Sequence, residues 1–252
     1  MHERRQRGGA TDRFSLRRVA WVAGFALLMA ACAEVTGTLS ESASSISKFL
    51  TPEPVTPTPS GSVSSIPPGA VRYRRVLMQA WEYHFGLAED PAIGFGQVHQ
   101  ESRFDCAAKN AAGSAGCAQF MPATAEWINA LIPPEVRKTC PSRSGCPMDP
   151  RWALTAMVEY DWRLWNGHAW AADDKERWAF TLATYNGGTA VTGGERAACA
   201  NSRGCDPARY FEHVERFCGA TGRSTDSCSQ NRQYARVILN KWAPLYHNWL
   251  HS

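Results

Sequence analysis

Three short blocks of the sequence combine residue types that can do acid–base chemistry on a polar substrate. The first is Gln100-Glu101-Ser102-Arg103-Phe104-Asp105, the second Gly113-Ser114-Ala115-Gly116-Cys117-Ala118-Gln119-Phe120-Met121-Pro122-Ala123-Thr124-Ala125, and the third Ala183-Thr184-Tyr185-Asn186-Gly187-Gly188. Glu101 falls near the end of a helix predicted over about 91–103, which also carries Ile93 and Val98. The carbonyl-rich C-terminal end of a helix disfavours an anion. Apolar neighbours add a desolvation penalty, so such a carboxyl has a raised pKa and can act as a general acid near neutral pH. Most glutamates at such a position are solvated helix-end residues, and it is the spacing of the blocks that decides against that reading here.

The elements that must position these blocks are helical. Val76, Leu77, Ala80, Trp81 and His84 recur on one helical face, and the chain beyond them has no sustained period-two alternation of strand type. Asp90-Pro91 and Asp149-Pro150 each pair an N-cap with a proline at the first helical position, which predicts helices over about 91–103 and 150–165. Further helices are expected near 123–131, 175–186, 207–217 and 230–249. The reading is a mainly α domain from residue 71 to 252.

Ahead of it lie two segments of different character. The 252 residues hold 27 Lys+Arg against 23 Asp+Glu, a net charge of +4. Arg4, Arg5, Arg7, Arg13, Arg17 and Arg18, set against Glu3 and Asp12, account for all of it (6 − 2 = +4). The remainder is neutral and has no basic footprint for nucleic acid. The uncharged apolar run Val19–Ala31 is shorter than a spanning helix and reads, with its arginines, as a signal peptide over 1–31. Cys32 comes directly after Leu27-Leu28-Met29-Ala30-Ala31, which resembles a bacterial lipobox and implies a lipidated cysteine. Ordinary signal cleavage near Ala31 is the rival. Residues 32–70, rich in Ser, Thr and Pro, read as an extended tether. Together they place the domain in a bacterial cell envelope, on the periplasmic face of an outer membrane as a lipoprotein, or otherwise in the periplasm or medium.

Eight further cysteines form four local couples: Cys106 with Cys117, Cys140 with Cys146, Cys199 with Cys205 and Cys218 with Cys228. An even set in an exported chain implies disulfides, and although 105 pairings are permitted, the local ones are expected. Structural zinc is the alternative, but no CxxC pair is present and the histidines are not clustered near the thiols. No metal or cofactor is expected.

The three blocks together resemble the soluble-lytic-transglycosylase-like (SLT) family of peptidoglycan-cleaving enzymes, which have a lysozyme-like α fold. Its pattern Glu-Ser-x-Phe, then Gly-x-x-Gly-x-x-Gln-x-Met-Pro-x-Thr-Ala, then Ala-x-Tyr-Asn-x-Gly is met in register by Glu101, Ser102, Phe104, Gly113, Gly116, Gln119, Met121, Pro122, Thr124, Ala125, Tyr185 and Asn186. The resemblance covers roughly 75–192 and resumes faintly at Arg232-Gln233-Tyr234, where the family carries a tyrosine on a late helix. Cys106 and Cys117 replace residues that are often proline and leucine, consistent with a disulfide clamping that loop. The Cys-rich stretch 197–229 has no counterpart and reads as an insertion.

What the resemblance implies is cleavage of the β-1,4 bond between N-acetylmuramic acid and N-acetylglucosamine without water, closing a 1,6-anhydro ring. Glu101 would act as acid and then base. Ser102 and Gln119 would orient sugar or the Glu101 carboxyl, Tyr185 would bond Glu101 or the N-acetyl group, Asn186 would hold its turn and touch substrate, and Met121 would supply an apolar wall. Asp105 reads as a turn or capping residue, Trp152, Trp162, Trp165 and Trp178 as core, and His99 as packing. The partners implied are peptidoglycan strands and, through Cys32, a membrane. Hydrolysis of the same bond, as in goose-type lysozymes, and a catalytically idle wall-binding lipoprotein are the rival readings.

Overall fold

A computed structural model describes residues 66–252. The expected signal peptide 1–31, Cys32 and all of the expected tether up to residue 65 lie outside the described residues. The domain is helical, with two isolated antiparallel bridges (Lys109 to Ala115, Ala115 to Phe120) and no strand among the described residues. None of the described helices is long and apolar enough to cross a membrane.

Helix α1 (Pro68–Phe85) begins on a proline, where a missing N–H is harmless, and ends at Gly86, whose N–H bonds Glu82 O. Its buried face, Leu77, Ala80, Trp81 and Phe85, packs along α5 (Pro150–Gly167). Asp149 caps α5 by accepting from Trp152 N at 2.7 Å, as the Asp-Pro signal predicts. Most of α5 is buried, which makes it the central post of the domain.

Helix α2 (Ala92–Ser102) carries Glu101 and is buried over most of its length from Ala92 to His99. Asp90 Oδ1 accepts from Ala92 N at 2.9 Å and fixes its start. A Cβ at Gly94 would come within 2.7 Å of the Trp81 ring, so glycine lets α2 press onto α1. On its other side α2 meets α9 (Ala243–Leu250): His99 Nδ1 lies 2.8 Å from Tyr246 Oη and its ring stacks on Trp242 at 3.9 Å. His99 thus packs, and Trp152, Trp165 and Trp178 are core while Trp162 is partly buried.

Helices α3 (Pro122–Asn129), α4 (Pro134–Arg137) and α6 (Asp174–Gly187) complete this half. The second half departs from expectation. Residues 189–200 form α7, in a stretch whose Gly193-Gly194 pair and preceding glycines depress helix propensity. The helix expected over 207–217 is instead a series of turns, with only Val214–Phe217 in a 3-10 turn. There side chains capture the backbone: Glu176 Oε2 accepts from Tyr210 N and Phe211 N at 2.8 and 3.1 Å, and Asp206 Oδ1 from Ala208 N at 2.9 Å. Helix α8 (Thr225–Val237) starts at a Ser224 cap, five residues before the expected 230. It widens into a π segment (Ile238–Trp242) ahead of Pro244, which cannot donate to a regular ladder.

Two apolar clusters result, one around α1, α2, α3 and α5 and one around α6, α8, Tyr210 and Val214, with Ile93, Tyr185, Leu239 and Trp242 touching both. The cysteines pair as 106–117, 140–146, 199–205 and 218–228, all four local couples.

Candidate active site

Glu101 occupies the last turn of α2, beside a cavity of about 390 Å³ lined also by Gln119, Met121, Tyr185, Asn186 and Arg223. Burial raises its pKa from the ordinary carboxylate range to about 7, against the opposing pull of one hydrogen bond from Tyr234. Tyr234 Oη donates to Glu101 Oε1 at 2.5 Å. Burial first, and then the nearby Glu101 charge, holds the Tyr234 hydroxyl protonated well above its usual range. The carboxyl is thus split evenly between its two forms near neutrality and has a donor fixed on one oxygen.

Beneath it sits a second acid that the motif blocks did not reveal. Asp161 on α5 is fully buried, with Oδ1 accepting from Gln97 Nε2 at 3.2 Å. Gln97 lies one turn before Glu101 on the same face of α2. Burial pushes the Asp161 carboxyl well above its usual range, the Gln97 bond opposes this, and Glu101 raises it further. Both carboxyls are thus pushed toward their protonated forms, and of the two only Glu101 lines the cavity. A signal for it existed: Leu154, Val158, Asp161 and Trp165 lie along one helical stripe, all four are buried, and one of the four is an acid.

The loop from 103 to 121 is built to hold one shape. Arg103, Phe104 and Gln119 have φ of 54°, 67° and 48°, a left-handed cluster of non-glycine residues that costs on the order of 1–3 kcal/mol each and persists only where surroundings over-determine it. The Cys106–Cys117 disulfide closes the loop, Gly116 N donates to Ala108 O at 2.9 Å, and Asn110 Oδ1 accepts from Ser114 N at 3.0 Å. Ser102 Oγ donates to Cys117 O at 2.8 Å, tying the end of α2 to this loop. Gln119 accepts from Ser114 Oγ at 2.7 Å and donates to Gly116 O at 2.9 Å. Ser102 and Gln119 thus spend their hydrogen bonds on the loop, and of the two only Gln119 also faces the cavity.

Tyr185, expected as a partner of Glu101 or of substrate, donates to Ala118 O at 2.8 Å; the tyrosine on Glu101 is Tyr234. Asn186 is exposed at the end of α6, and Met121 is exposed at the cavity rim. Asp105 Oδ1 accepts from Ala107 N at 2.9 Å, a turn contact. With its amide oriented to satisfy its neighbours, buried Asn231 donates to Ala183 O at 3.1 Å and to Asn186 Oδ1 at 2.9 Å, so α8 and α6 are joined directly behind the cavity. Among the described residues the group nearest to a metal-ligand set is Asp90, His247 and His251, away from the cavity lining. Its Asp90 oxygens are already taken by Ala92 N and, at 2.7 Å, by His247 Nδ1, so Asp90 serves as a helix cap tied to α9.

A half-buried acid with a pKa near 7, facing a polar cavity, suits proton transfer to and from a bound substrate. No curated protein matches the chain. Residues 89–198 match the family described as Transglycosylase SLT domain. That span contains Glu101, the disulfide-closed loop, Tyr185 and Asn186, and stops short of Arg223 and Tyr234. This span thus carries the likeness to the transglycosylase SLT-domain family, which is lysozyme-like and acts on peptidoglycan.

Proposed function

We propose that the protein cleaves the β-1,4 bond between N-acetylmuramic acid and N-acetylglucosamine in peptidoglycan without water, leaving 1,6-anhydromuramic ends. The observation that carries this reading is that one carboxyl, Glu101, faces the cavity with its pKa raised to about 7, while the second, Asp161, is fully buried, outside the cavity lining and pushed above its usual range. Hydrolysis by the usual two-carboxylate routes needs an ionised base or nucleophile about 5 to 9.5 Å from the acid, a task for which a fully buried Asp161 outside the cavity lining is poorly placed.

Glu101 donates its proton to the glycosidic oxygen as the C1–O bond breaks, and the 2-acetamido group of muramic acid stabilises the cationic C1. The Glu101 carboxylate left behind takes the proton of the C6 hydroxyl, whose oxygen bonds to C1. Atoms and charge balance within substrate and one side chain, and the acid is regenerated. A pKa near 7 suits both steps, since a group transfers protons best when its pKa lies close to the working pH. Tyr234 would steady the ionised form, while Gln119, Asn186, Tyr185 and Met121 line the sugar-binding face. Digestion in ¹⁸O-labelled water tests the reading: products without label are expected, and one labelled oxygen per cut would refute it.

The electrostatics lead to two further expected outcomes. The first step needs protonated Glu101, so kcat/KM is full below pH 7 and falls as pH rises through about 7. Tyr234→Phe removes the bond that lowers this pKa, so the alkaline limb should move to higher pH; a limb that stays in place would separate Tyr234 from the acid. Asp161→Asn replaces a buried acid outside the cavity lining by a near-isostere, and turnover is expected to stay within about threefold of wild type. A loss of about a thousandfold would make Asp161 a working carboxylate instead.

The leader and Cys32 extend the proposal to location, with the domain held on an envelope membrane by a lipid and the Ser/Thr/Pro-rich tether. Palmitate labelling of wild type that is absent in Cys32→Ser is the expected result.

A further inference from the structure

The cysteine-rich stretch before the last long helix ends in a loop closed by the Cys218–Cys228 disulfide. This loop delivers Arg223 to the cavity that Glu101 faces. Arg223 is half-buried, and its Nη1 donates to Asn231 Oδ1 at 3.2 Å once the Asn231 amide is oriented to satisfy its neighbours. Asn231 is itself fixed by Ala183 O and Asn186 Oδ1, so the guanidinium is anchored through one nitrogen to the wall of the site. Its remaining donors have no carboxylate: none of the ion pairs among the described residues involves Arg223. The acid that shares its neighbourhood, Glu195, is buried, has no hydrogen-bond partner on either oxygen, and is held above its usual range by that burial, against the opposing pull of Arg223 and Arg232.

Among the cavity-lining residues only Glu101 and Arg223 are ionisable to a full charge near neutrality, and only Arg223 is permanently charged. A glycan of N-acetylated sugars gives such a cation nothing to pair with. In intact wall polymer the lactyl carboxyl of muramic acid is consumed in an amide bond, whereas the attached peptide bears free carboxylates. A planar guanidinium held at one corner presents the rest of its fork to a carboxylate.

We propose that Arg223 is a substrate-reading residue that binds a carboxylate on the peptide substituent of muramic acid. This rests on the lyase reading for the identity of the polymer, and it assigns a role to the insertion, which lies largely beyond the matched family span. The insertion makes the cleft selective for glycan that still carries charged peptide.

Binding is measured first, in a Glu101→Gln background so that turnover does not enter, using soluble disaccharide-peptide oligomers, the same oligomers with their carboxylates amidated by carbodiimide and ammonia, and glycan stripped of peptide by amidase, which has a free lactyl carboxylate. The expected result is binding at least about tenfold tighter for the charged peptide form than for the amidated one, with that ratio falling to near one in Arg223→Gln and recovering in part in Arg223→Lys. Equal affinity for charged and amidated forms, or a loss in Arg223→Gln that is the same on both, would overturn the proposal. So would an Arg223-dependent preference for the stripped glycan, which would make the lactyl group the ligand. Turnover on the same substrates then separates the two readings: if the wild type cuts none of them, the lyase assignment falls while the binding ratio still reports on Arg223.

Discussion

Replacing Glu101 by Gln should lower the rate of glycan cleavage by at least about a thousandfold while leaving the protein folded. In the proposed mechanism both proton transfers pass through this one side chain, and general acid and base contributions of about 10²–10⁴ each are the usual range. Gln keeps the shape and an oxygen to accept from Tyr234, so the loss is chemical. Stability should move the other way. A folded-state pKa raised from 4.5 to about 7 means that wild-type stability is full below pH 4.5 and declines as pH rises through 7, because ionising Glu101 in place costs free energy. The neutral amide has no such penalty. Above pH 8 the variant is expected to be the more stable by on the order of 1–3 kcal/mol, discounted because the carboxyl opens on the cleft. Chemical denaturation at pH 5 and pH 8.5, alongside release of soluble fragments from sacculi, checks both signs. A variant that still releases fragments at the wild-type rate would remove Glu101 from the chemistry.

Gly116→Ala should be the most damaging small change to the fold near the site. Gly116 has φ of 80°, and a Cβ there would sit 1.6 Å from Pro147 O. The obstacle is a backbone carbonyl, so no rotamer change relieves it. The cost should be at least about 3 kcal/mol, combining the left-handed backbone with a clash that must displace a segment. Because Gly116 O accepts from both the backbone and the side chain of Gln119, the displacement also reaches the cavity, and activity should fall with stability. Gly113→Ala is the matched comparison. Its φ is 94° but nothing lies within 4 Å of the new Cβ, so only the conformational part, about 1–2 kcal/mol, remains. Urea denaturation of both variants should show this gap, and equal losses would mean that the contact with Pro147 is not what demands glycine.

The parts of this molecule that were legible in its sequence are those governed by local rules. Asp149-Pro150 marked the start of α5 to the residue because cap and proline act within one turn. The four disulfides were readable from couples 6 to 11 residues apart, since short loops bring their own ends together. The blocks around Glu101 and Gln119 were visible because one continuous loop builds that side of the cleft. The hidden parts depend on contacts across the chain. The turns at 207–213 exist because the Glu176 carboxylate, more than 30 residues earlier, takes two backbone N–H groups. Helix α7 carries a glycine pair and holds through packing of Thr192, Glu195 and Cys199. Tyr234 reaches Glu101 over 133 residues, which is why the nearer motif tyrosine, Tyr185, was expected in its place. Asp161 and Arg223 gain meaning only once α2 lies on α5 and the disulfide-closed loop folds over the cavity.

These long-range contacts also bear on the choice of reaction. Position sets the two acids apart: Glu101 opens on the cavity with its pKa raised to about 7, and Asp161 is sealed beneath it and pushed above its usual range. With one carboxyl facing the cavity, a nucleophile supplied by the sugar itself is the route that needs no second carboxylate, as proposed above. The decisive quantity is the mass of the muramic ends released when purified sacculi are digested by the wild-type protein. Ends lighter than reducing ends by one water, the 1,6-anhydro form, are expected from the wild type and none from Glu101→Gln. Reducing muramic ends from the wild type would mean that water, not the C6 hydroxyl, is the nucleophile, and the single-carboxyl mechanism would fall.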